Sequence, residues 1–339
     1  MRDAGVEIER GIDELAVLGF AEVVGRLPFF ARLLAERRRA LRERPPDALV
    51  LVDYPGLNLR IARAARSLRV PVAYYVSPQV WAWGAGRVRA IRRSVDEMIV
   101  ILPFEAAFYA ARGVSATFVG HPLLEVARPA RPRAETRRSL GIGADAPLVG
   151  LFPGSRVQEI ERHLALFLEA SRRAERALGG ALSLAIGRAP TVPDALVRER
   201  IAGRDAPVTT ETYDLMGAAD LLLVASGTAT LEAACVGTPM VVVYRTSRLS
   251  YALGRLVVRV PHIALANLVA GARVVPELVQ GEATPEAIAR EMTSILRDPG
   301  RAATMREAFA AIRARLGEPG AAGRAAEIVL RLARRRARP

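Results

Sequence analysis

The 339-residue sequence predicts an α/β fold of two doubly wound parallel sheets, on three observations. Short unbroken apolar runs alternate with helical patterns along the chain, as they do where helices cover both faces of a parallel sheet. Two of those runs end in small-residue turns that open helices, Pro153-Gly154-Ser155-Arg156 and Ser226-Gly227-Thr228. A proline- and arginine-rich stretch, Arg128 to Arg133, interrupts the alternation and reads as an exposed connection. The predicted organisation is a Rossmann-like domain over residues 1–143, a second over 144–319, and a closing helix over 320–339 that crosses back to the first, with a cleft between the two halves.

Taken in order, Ile12 to Leu18 leads into an amphipathic helix. Over Phe20–Leu34 it carries Val23, Val24, Leu27, Phe29, Phe30, Leu33 and Leu34, flanked by Arg26, Arg32 and Arg37 to Arg39. That mixture suits a helix resting on anionic lipid, and equally a domain helix with a solvated basic face. Asp47 to Val52 is a strand ending in Asp53. Ligands of doubly wound sheets sit at the carboxyl ends of strands, so Asp53 is placed for chemistry, although an aspartate there also suits a helix cap. Val70 to Val76 is a strand followed by Ser77-Pro78-Gln79-Val80-Trp81-Ala82-Trp83, a loop holding both tryptophans of the chain. They are read as a wall around a ligand or as packing of the loop onto the core. Glu97 to Leu102 is a further strand, and Ala116 to Val119 ends in Gly120-His121-Pro122-Leu123.

The second half repeats this grammar. Leu148 to Phe152 is a strand, Glu159 to Ala177 a long helix, Ala181 to Ile186 a strand, Pro193 to Ile201 a helix and Tyr213 to Ala218 a short helix. Leu221 to Ala225 is then a strand buried on both faces, with Thr238-Pro239 closing the helix that follows it. At the start of that helix, free N–H groups and the positive end of the helix dipole make an anion site, and Gly227 with its small neighbours admits a phosphate. Glu232, one turn in, is positioned to hold a ribose through its two hydroxyls, and Arg156 to contact a diphosphate. Either turn alone also reads as a plain helix cap. An arginine-bearing helix over Ser247–Val258 and helices from Pro285, Arg301 and Ala321 complete the chain.

Composition narrows the function. All 49 basic residues are arginine, the net charge is +14 and the single cysteine, Cys235, excludes an internal disulfide. Three histidines and no Asp-x-Asp pair leave no expected metal site. Strong positive charge predicts an anionic partner. With 5% aromatic residues and no zinc module, an acidic membrane surface or a phosphorylated substrate is favoured over nucleic acid. No apolar run reaches the roughly 18 residues of a membrane span, and a cytoplasmic protein is expected.

Read together, Asp53-Tyr-Pro-Gly-Leu-Asn58-Leu-Arg, Tyr-Tyr-Val-Ser77-Pro-Gln-Val-Trp81-Ala-Trp, Leu-Pro-Phe-Glu105, Gly-His121-Pro-Leu-Leu-Glu, Pro-Gly154-Ser155-Arg156-x-x-Glu-Ile, Ser226-Gly227-Thr228-Ala-Thr-Leu-Glu232, Gly-Thr-Pro-Met-Val-Val-Val-Tyr-Arg and Ala-Asn267-Leu-Val-Ala-Gly make the chain resemble lipid-A-disaccharide synthases. The resemblance implies an inverting glycosyltransferase of the GT-B type, two Rossmann-like domains facing a cleft. It joins UDP-2,3-diacylglucosamine to 2,3-diacylglucosamine 1-phosphate, without a cofactor, at the cytoplasmic face of the inner membrane. By the same resemblance Asp53 is the general base, Asn267 lies in a loop facing the cleft as a second catalytic candidate, and Gly154, Ser155, Arg156, Ser226, Gly227, Thr228 and Glu232 hold UDP. Asn58, Ser77, Trp81 and His121 fall on the substrate side, and a homodimer is left open. Gly56, Leu57, Gly84 and Ala266 depart from the family's usual residues.

Members of the family open with a strand and a Gly-Glu-x-Ser-Gly-Asp loop that nothing here matches, so about one βαβ unit, on the order of 50 residues, is expected to be absent from the first domain. A chain beginning at Met1 is accordingly expected to be nearly inactive. The competing readings are another UDP-N-acetylglucosamine-type transferase or epimerase of the same architecture, and a relic that only binds surfaces.

Overall fold

The structure is a computed structural model and describes every residue except 1–3, 12–26, 85, 202, 205, 248–250, 253, 256–257, 259 and 337–339. Two parallel sheets carry the chain. The first places β1 (Leu49–Val52), β2 (Val72–Tyr75), β3 (Glu97–Val100) and β4 (Ala116–Phe118) side by side in chain order. Leu49 pairs with Val72, Ala73 with Glu97 and Met98 with Ala116. The helices are α1 (Leu27–Glu43) ahead of β1, then α2 (Pro55–Ser67), α3 (Arg87–Ser94) and α4 (Glu105–Ala110) between successive strands.

Side chains alternate across this sheet with the period of two that a strand imposes. Leu51, Val72, Tyr74, Met98 and Val100 pack with α1, α2 and α3 on one face. Ala73, Ile99 and Val119 lie on the other, under the last helix of the chain. The expected lipid-facing helix resolves accordingly over its described part. Leu33 and Leu41 of α1 are buried in the first core, with Phe29, Phe30 and Leu34 against it. Leu33 and Leu41 of α1 therefore pack inward beside α2, as the domain-helix alternative has it, and residues 12–26 of that reading lie outside the described part.

The second sheet runs in the order β10 (Glu277–Val279), β9 (Met240–Tyr244), β8 (Leu221–Ala225), β5 (Leu148–Phe152), β6 (Ser183–Gly187) and β7 (Val208–Thr209). Every residue of β5 and β8 is buried, as a continuous apolar run between two helical layers requires. Those layers comprise α7 (Val157–Leu178), α8 (Asp194–Arg200), α9 (Thr212–Ala218), α10 (Thr228–Val236), α11 (Leu265–Ala270), α12 (Pro285–Arg297) and α13 (Pro299–Arg315). The short edge strands β7 and β10 carry no alternation long enough to register in the sequence. Of the helix expected over 247–258, residues 251–252 and 254–255 are helical, and 248–250, 253 and 256–257 lie outside the described residues.

The connection between the sheets is exposed at Arg128, Pro129, Ala130, Pro132 and Arg133, as expected, and it is anchored at both ends: it runs between α5 (Leu123–Val126) and α6 (Arg133–Ser139), and Leu123, Leu124 and Ala127 join the second core. The carboxylate of Asp214, on α9, accepts hydrogen bonds from the N–H groups of Ala130 at 2.6 Å and Arg131 at 3.1 Å and from the Arg131 guanidinium at 2.8 Å. Pro129 lies so close to Gly217 that a Cβ at that position would collide with it. Arg137 is buried and donates to the carbonyls of Gly143 and Ala218. An arginine can be buried in this way where carbonyls and carboxylates saturate its guanidinium.

Past α13 the chain returns to the first sheet as α14 (Ala321–Arg336), whose Ala325, Ile328 and Leu332 cover Ala73, Ile99 and Val119. The two crossing segments are tied together. His121 N–H donates to the Leu316 carbonyl at 2.9 Å, and the Glu125 carboxylate accepts from Gly320 and Ala321 at 3.0 and 3.2 Å. Beside α14, β1 has no partner on its outer side among the described residues, and Val50 and Val52 stay 43% and 45% exposed.

Candidate active site

The carboxyl ends of β5, β6 and β8 open into a cavity of about 520 Å³ lined by both small-residue turns. On one side the chain leaves β5 through Pro153-Gly154-Ser155-Arg156 into α7. Gly154 has a φ of 130°, and a Cβ there would collide with the side chain of Glu159. The Glu159 carboxylate accepts from the Ser155 N–H at 2.8 Å and pairs with Arg156 at 2.7 Å, so Arg156 is steered along the turn while staying exposed. Beneath the turn, His163 is buried on α7. Its Nδ1–H donates to the Pro153 carbonyl at 3.0 Å and its Nε2 accepts from the Arg245 N–H at 3.0 Å, fastening the turn to the end of β9. Burial holds its pKa below the ordinary value, which keeps the ring in the neutral form this pattern needs.

On the other side β8 leads into α10. The Ser226 N–H and hydroxyl are both engaged, donating to the carbonyls of Val243 at 2.9 Å and Ile263 at 3.1 Å. Gly227 and Thr228 at the start of α10 line the cavity with Ser226, and the N–H groups of a helix start are the donors an anion there would meet. Glu232 lies one turn further at the cavity wall, half-buried, with Tyr213 O–H 3.5 Å from its Oε1. Burial raises the Glu232 pKa and pushes the Tyr213 phenol up to about 12. All seven residues expected to hold UDP thus gather around one cavity. Gly187, Pro190, Thr212 and Met216 complete its wall without a motif that could have announced them.

The carboxyl edge of the first sheet is built differently. Asp53 and Tyr54 at the end of β1 both have φ 46°, and Val76 at the end of β2 has φ 59°. Left-handed backbone at ordinary side chains costs on the order of 1–3 kcal/mol each, and such strain gathers at functional sites. Asp53 is exposed, and no hydrogen bond or ion pair engages its carboxylate among the described residues. The Asn58 amide donates to the carbonyls of Val52 and Asp53 at 3.0 and 2.7 Å, which turns it inward to the backbone.

Three other expected residues are engaged within the protein. Ser77 is buried between the Pro78 carbonyl and the Tyr109 hydroxyl, at 2.9 and 2.7 Å. The Trp81 indole donates to Glu105 at 2.9 Å and meets Phe104 edge-on, so it packs the loop onto the core while Trp83, 41% exposed, stacks with Arg87. His121 is buried, accepts from the Leu123 N–H at 3.1 Å and has its pKa lowered to about 4 by that burial. Glu105, which the sequence reading placed in a motif without giving it a role, is 1% exposed, and burial raises its pKa to about 7.

Asn267 does not face the cleft as expected. It lies in α11, fully buried, with its Oδ1 accepting from Val274 and Val275 and its amide donating to the Val275 carbonyl and, at 2.7 Å, to Glu277. Glu277 in turn accepts from the N–H groups of Ile263 and Ala264, and the Ile263 carbonyl receives the Ser226 hydroxyl. Asn267 therefore supports the Ser226 turn from behind.

Comparison with known proteins bears on both edges. The family model described as Lipid-A-disaccharide synthetase matches residues 1–329. The chain belongs to this family. A lipid-A-disaccharide synthase of Syntrophus aciditrophicus is 43% identical over 336 residues, covering 98% of this chain and 88% of that relative. One of Myxococcus xanthus is 45% identical over 331 residues, covering 97% and 86%. Among solved structures, a UDP-GlcNAc 2-epimerase from Neisseria meningitidis superposes with a TM-score of 0.61 at 14% identity, covering 93% of this chain and 82% of that one. A glycosyltransferase involved in lipopolysaccharide biosynthesis gives 0.55 at 16%, covering 88% and 82%. At those identities the likeness is one of fold, and it is the GT-B arrangement of two parallel sheets. Membership of the synthase family makes the chain a glycosyltransferase of lipid A disaccharide formation, using UDP-sugar and acylated sugar-phosphate substrates. No described helix is long and apolar enough to cross a membrane.

Proposed function

We propose that the chain transfers the diacylglucosaminyl group of UDP-2,3-diacylglucosamine to the 6-hydroxyl of 2,3-diacylglucosamine 1-phosphate, giving the β-1′,6-linked disaccharide and UDP. The observation that carries the reading is the cavity at the second sheet, where two helix N-termini, an exposed arginine and a half-buried glutamate converge. The N–H groups opening α7 and α10 bind the diphosphate oxygens, and Arg156 adds charge that grows in value as the leaving diphosphate gains it. Glu232 holds the ribose hydroxyls. In this scheme the acceptor hydroxyl attacks the anomeric carbon as its proton passes to the Asp53 carboxylate, and the glycosidic C–O bond to UDP breaks on the opposite face, inverting the centre.

Both sugars carry acyl chains, so we place the enzyme at the cytoplasmic face of the inner membrane, attracted to anionic lipid by its +14 charge. Titration of UDP and UDP-2,3-diacylglucosamine into the protein, followed by an assay for disaccharide, tests the proposal. Binding of ADP as tightly as UDP, or transfer to an unacylated acceptor at the same rate, would overturn it.

A further inference from the structure

The Asp53–Tyr54 pair sits in a conformation that ordinary residues avoid, and the neighbouring strand supplies what holds it there. The Asp53 N–H donates to the Tyr75 carbonyl at 3.2 Å, fixing one side of the residue in the sheet. Its carbonyl receives two donors, the Asn58 amide at 2.7 Å and the hydroxyl of Tyr74. Tyr74 is fully buried on β2 and spends its hydroxyl on that carbonyl. Asn58 also holds the Val52 carbonyl at 3.0 Å, and the Tyr54 carbonyl accepts from Asn58 N–H at 3.1 Å. Both peptide groups that flank the Asp53 Cα are thereby anchored, while the carboxylate between them is left without a partner among the described residues. A buried phenol must find its hydrogen-bond partner inside the fold, and the one Tyr74 has is the carbonyl of the left-handed Asp53.

We infer that Tyr74 and Asn58 are positioning residues for the transfer reaction, a two-donor clamp that keeps Asp53 and Tyr54 left-handed and so aims the Asp53 carboxylate out of the sheet. The inference rests on the reading of Asp53 as the base. Without the clamp, Asp53 relaxes toward ordinary strand or helical backbone and its carboxylate swings with the peptide. Misplacement of about 1 Å costs on the order of 10²-fold in rate, so partial relaxation should fall short of that.

The test uses the full chain. Tyr74→Phe is expected to lower kcat about 10-fold with KM for the UDP-sugar changed by less than about 2-fold, the mark of a group that acts at the reacting centre and not on nucleotide binding. Glycine accepts left-handed backbone without strain. Tyr54→Gly added to Tyr74→Phe should therefore recover at least about half of the loss, measured against Tyr54→Gly alone. A crystal structure of Tyr74→Phe should show Asp53 leaving positive φ. Wild-type kcat in Tyr74→Phe, a loss that Tyr54→Gly does not relieve, or an Asp53 that stays left-handed would each overturn the clamp. Should Tyr74→Phe not fold, Tyr74→Leu carrying Tyr54→Gly gives the same rescue and structural readouts. Asp53→Asn separates the two ideas. Undiminished turnover there removes the base and the clamp together, whereas a dead Asp53→Asn with a normal Tyr74→Phe removes the clamp alone.

Discussion

At the carboxyl edge of the second sheet the turn beside the cavity falls on Gly154, and backbone N–H groups are the proposed anion donors. At the same edge of the first sheet left-handed positions fall on Asp53, Tyr54 and Val76 as well as Gly120, as one does on Gln280 after β10 of the second. A turn that offers only main-chain donors has no use for a side chain, and glycine makes it without strain while letting a phosphate approach. A turn that must also present a carboxylate cannot be glycine, so the chain accepts strain and restrains it with Tyr74 and Asn58. On the proposed function the difference separates binding from chemistry, one half holding the nucleotide on pre-formed dipoles and the other aiming a single group.

The sharpest way to break that division is Asp53→Asn. Turnover should fall about 10²–10⁴-fold while UDP binding, measured by calorimetry, stays within error. A matching loss of UDP affinity would mean that the two edges do not divide the work. Gly154→Ala strikes the opposite half. The added Cβ requires Glu159 to move and the backbone to hold φ 130°, so UDP affinity should fall about 10-fold or more, with unaffected binding arguing that the turn is not the diphosphate site. Glu232→Ala should weaken UDP by about 1 kcal/mol and inorganic diphosphate by less, since its proposed partner is the ribose. Equal losses would make Glu232 structural.

The mildest expected change in activity concerns Glu105. Its folded pKa of about 7 lies above the ordinary carboxyl value, so the native state holds a proton that the unfolded chain has released. Stability from this group is present below the unfolded pKa of about 4.3 and is lost as pH rises through about 7. Glu105→Gln should flatten that slope in thermal unfolding while lowering stability by about 1–3 kcal/mol at acid pH, because its amide nitrogen cannot accept from both the Trp81 indole and the Leu102 N–H, with turnover close to wild type. An unchanged slope would place the titration elsewhere.

How much of this was legible in the sequence follows the same division. Gly154, Arg156, Gly227 and Glu232 could be found because a strand, a turn and a helix N-terminus follow one another within a few residues, and local order is what a sequence displays. Asp53 was legible as a strand-end acid, but its partner Tyr74 comes from the neighbouring strand, 21 residues away, and only the sheet brings them together. Asn267 was misplaced for the related reason that its role is set by Glu277 and the Ile263 backbone, reached through the fold. The apolar stripe of α1 suited lipid and core equally because the sequence does not reveal that α2 lies against it.

The return of α14 to the first sheet bears on how the protein is made. Domains emerging from a ribosome usually close in order, at about 5–20 residues per second. Here the faces of Ala73 and Ile99 wait for Ala325, Ile328 and Leu332, which leave the ribosome after the whole second sheet. The first sheet is thus finished after the second, and until α14 has emerged its apolar face is open to whatever chaperone or neighbouring chain finds it.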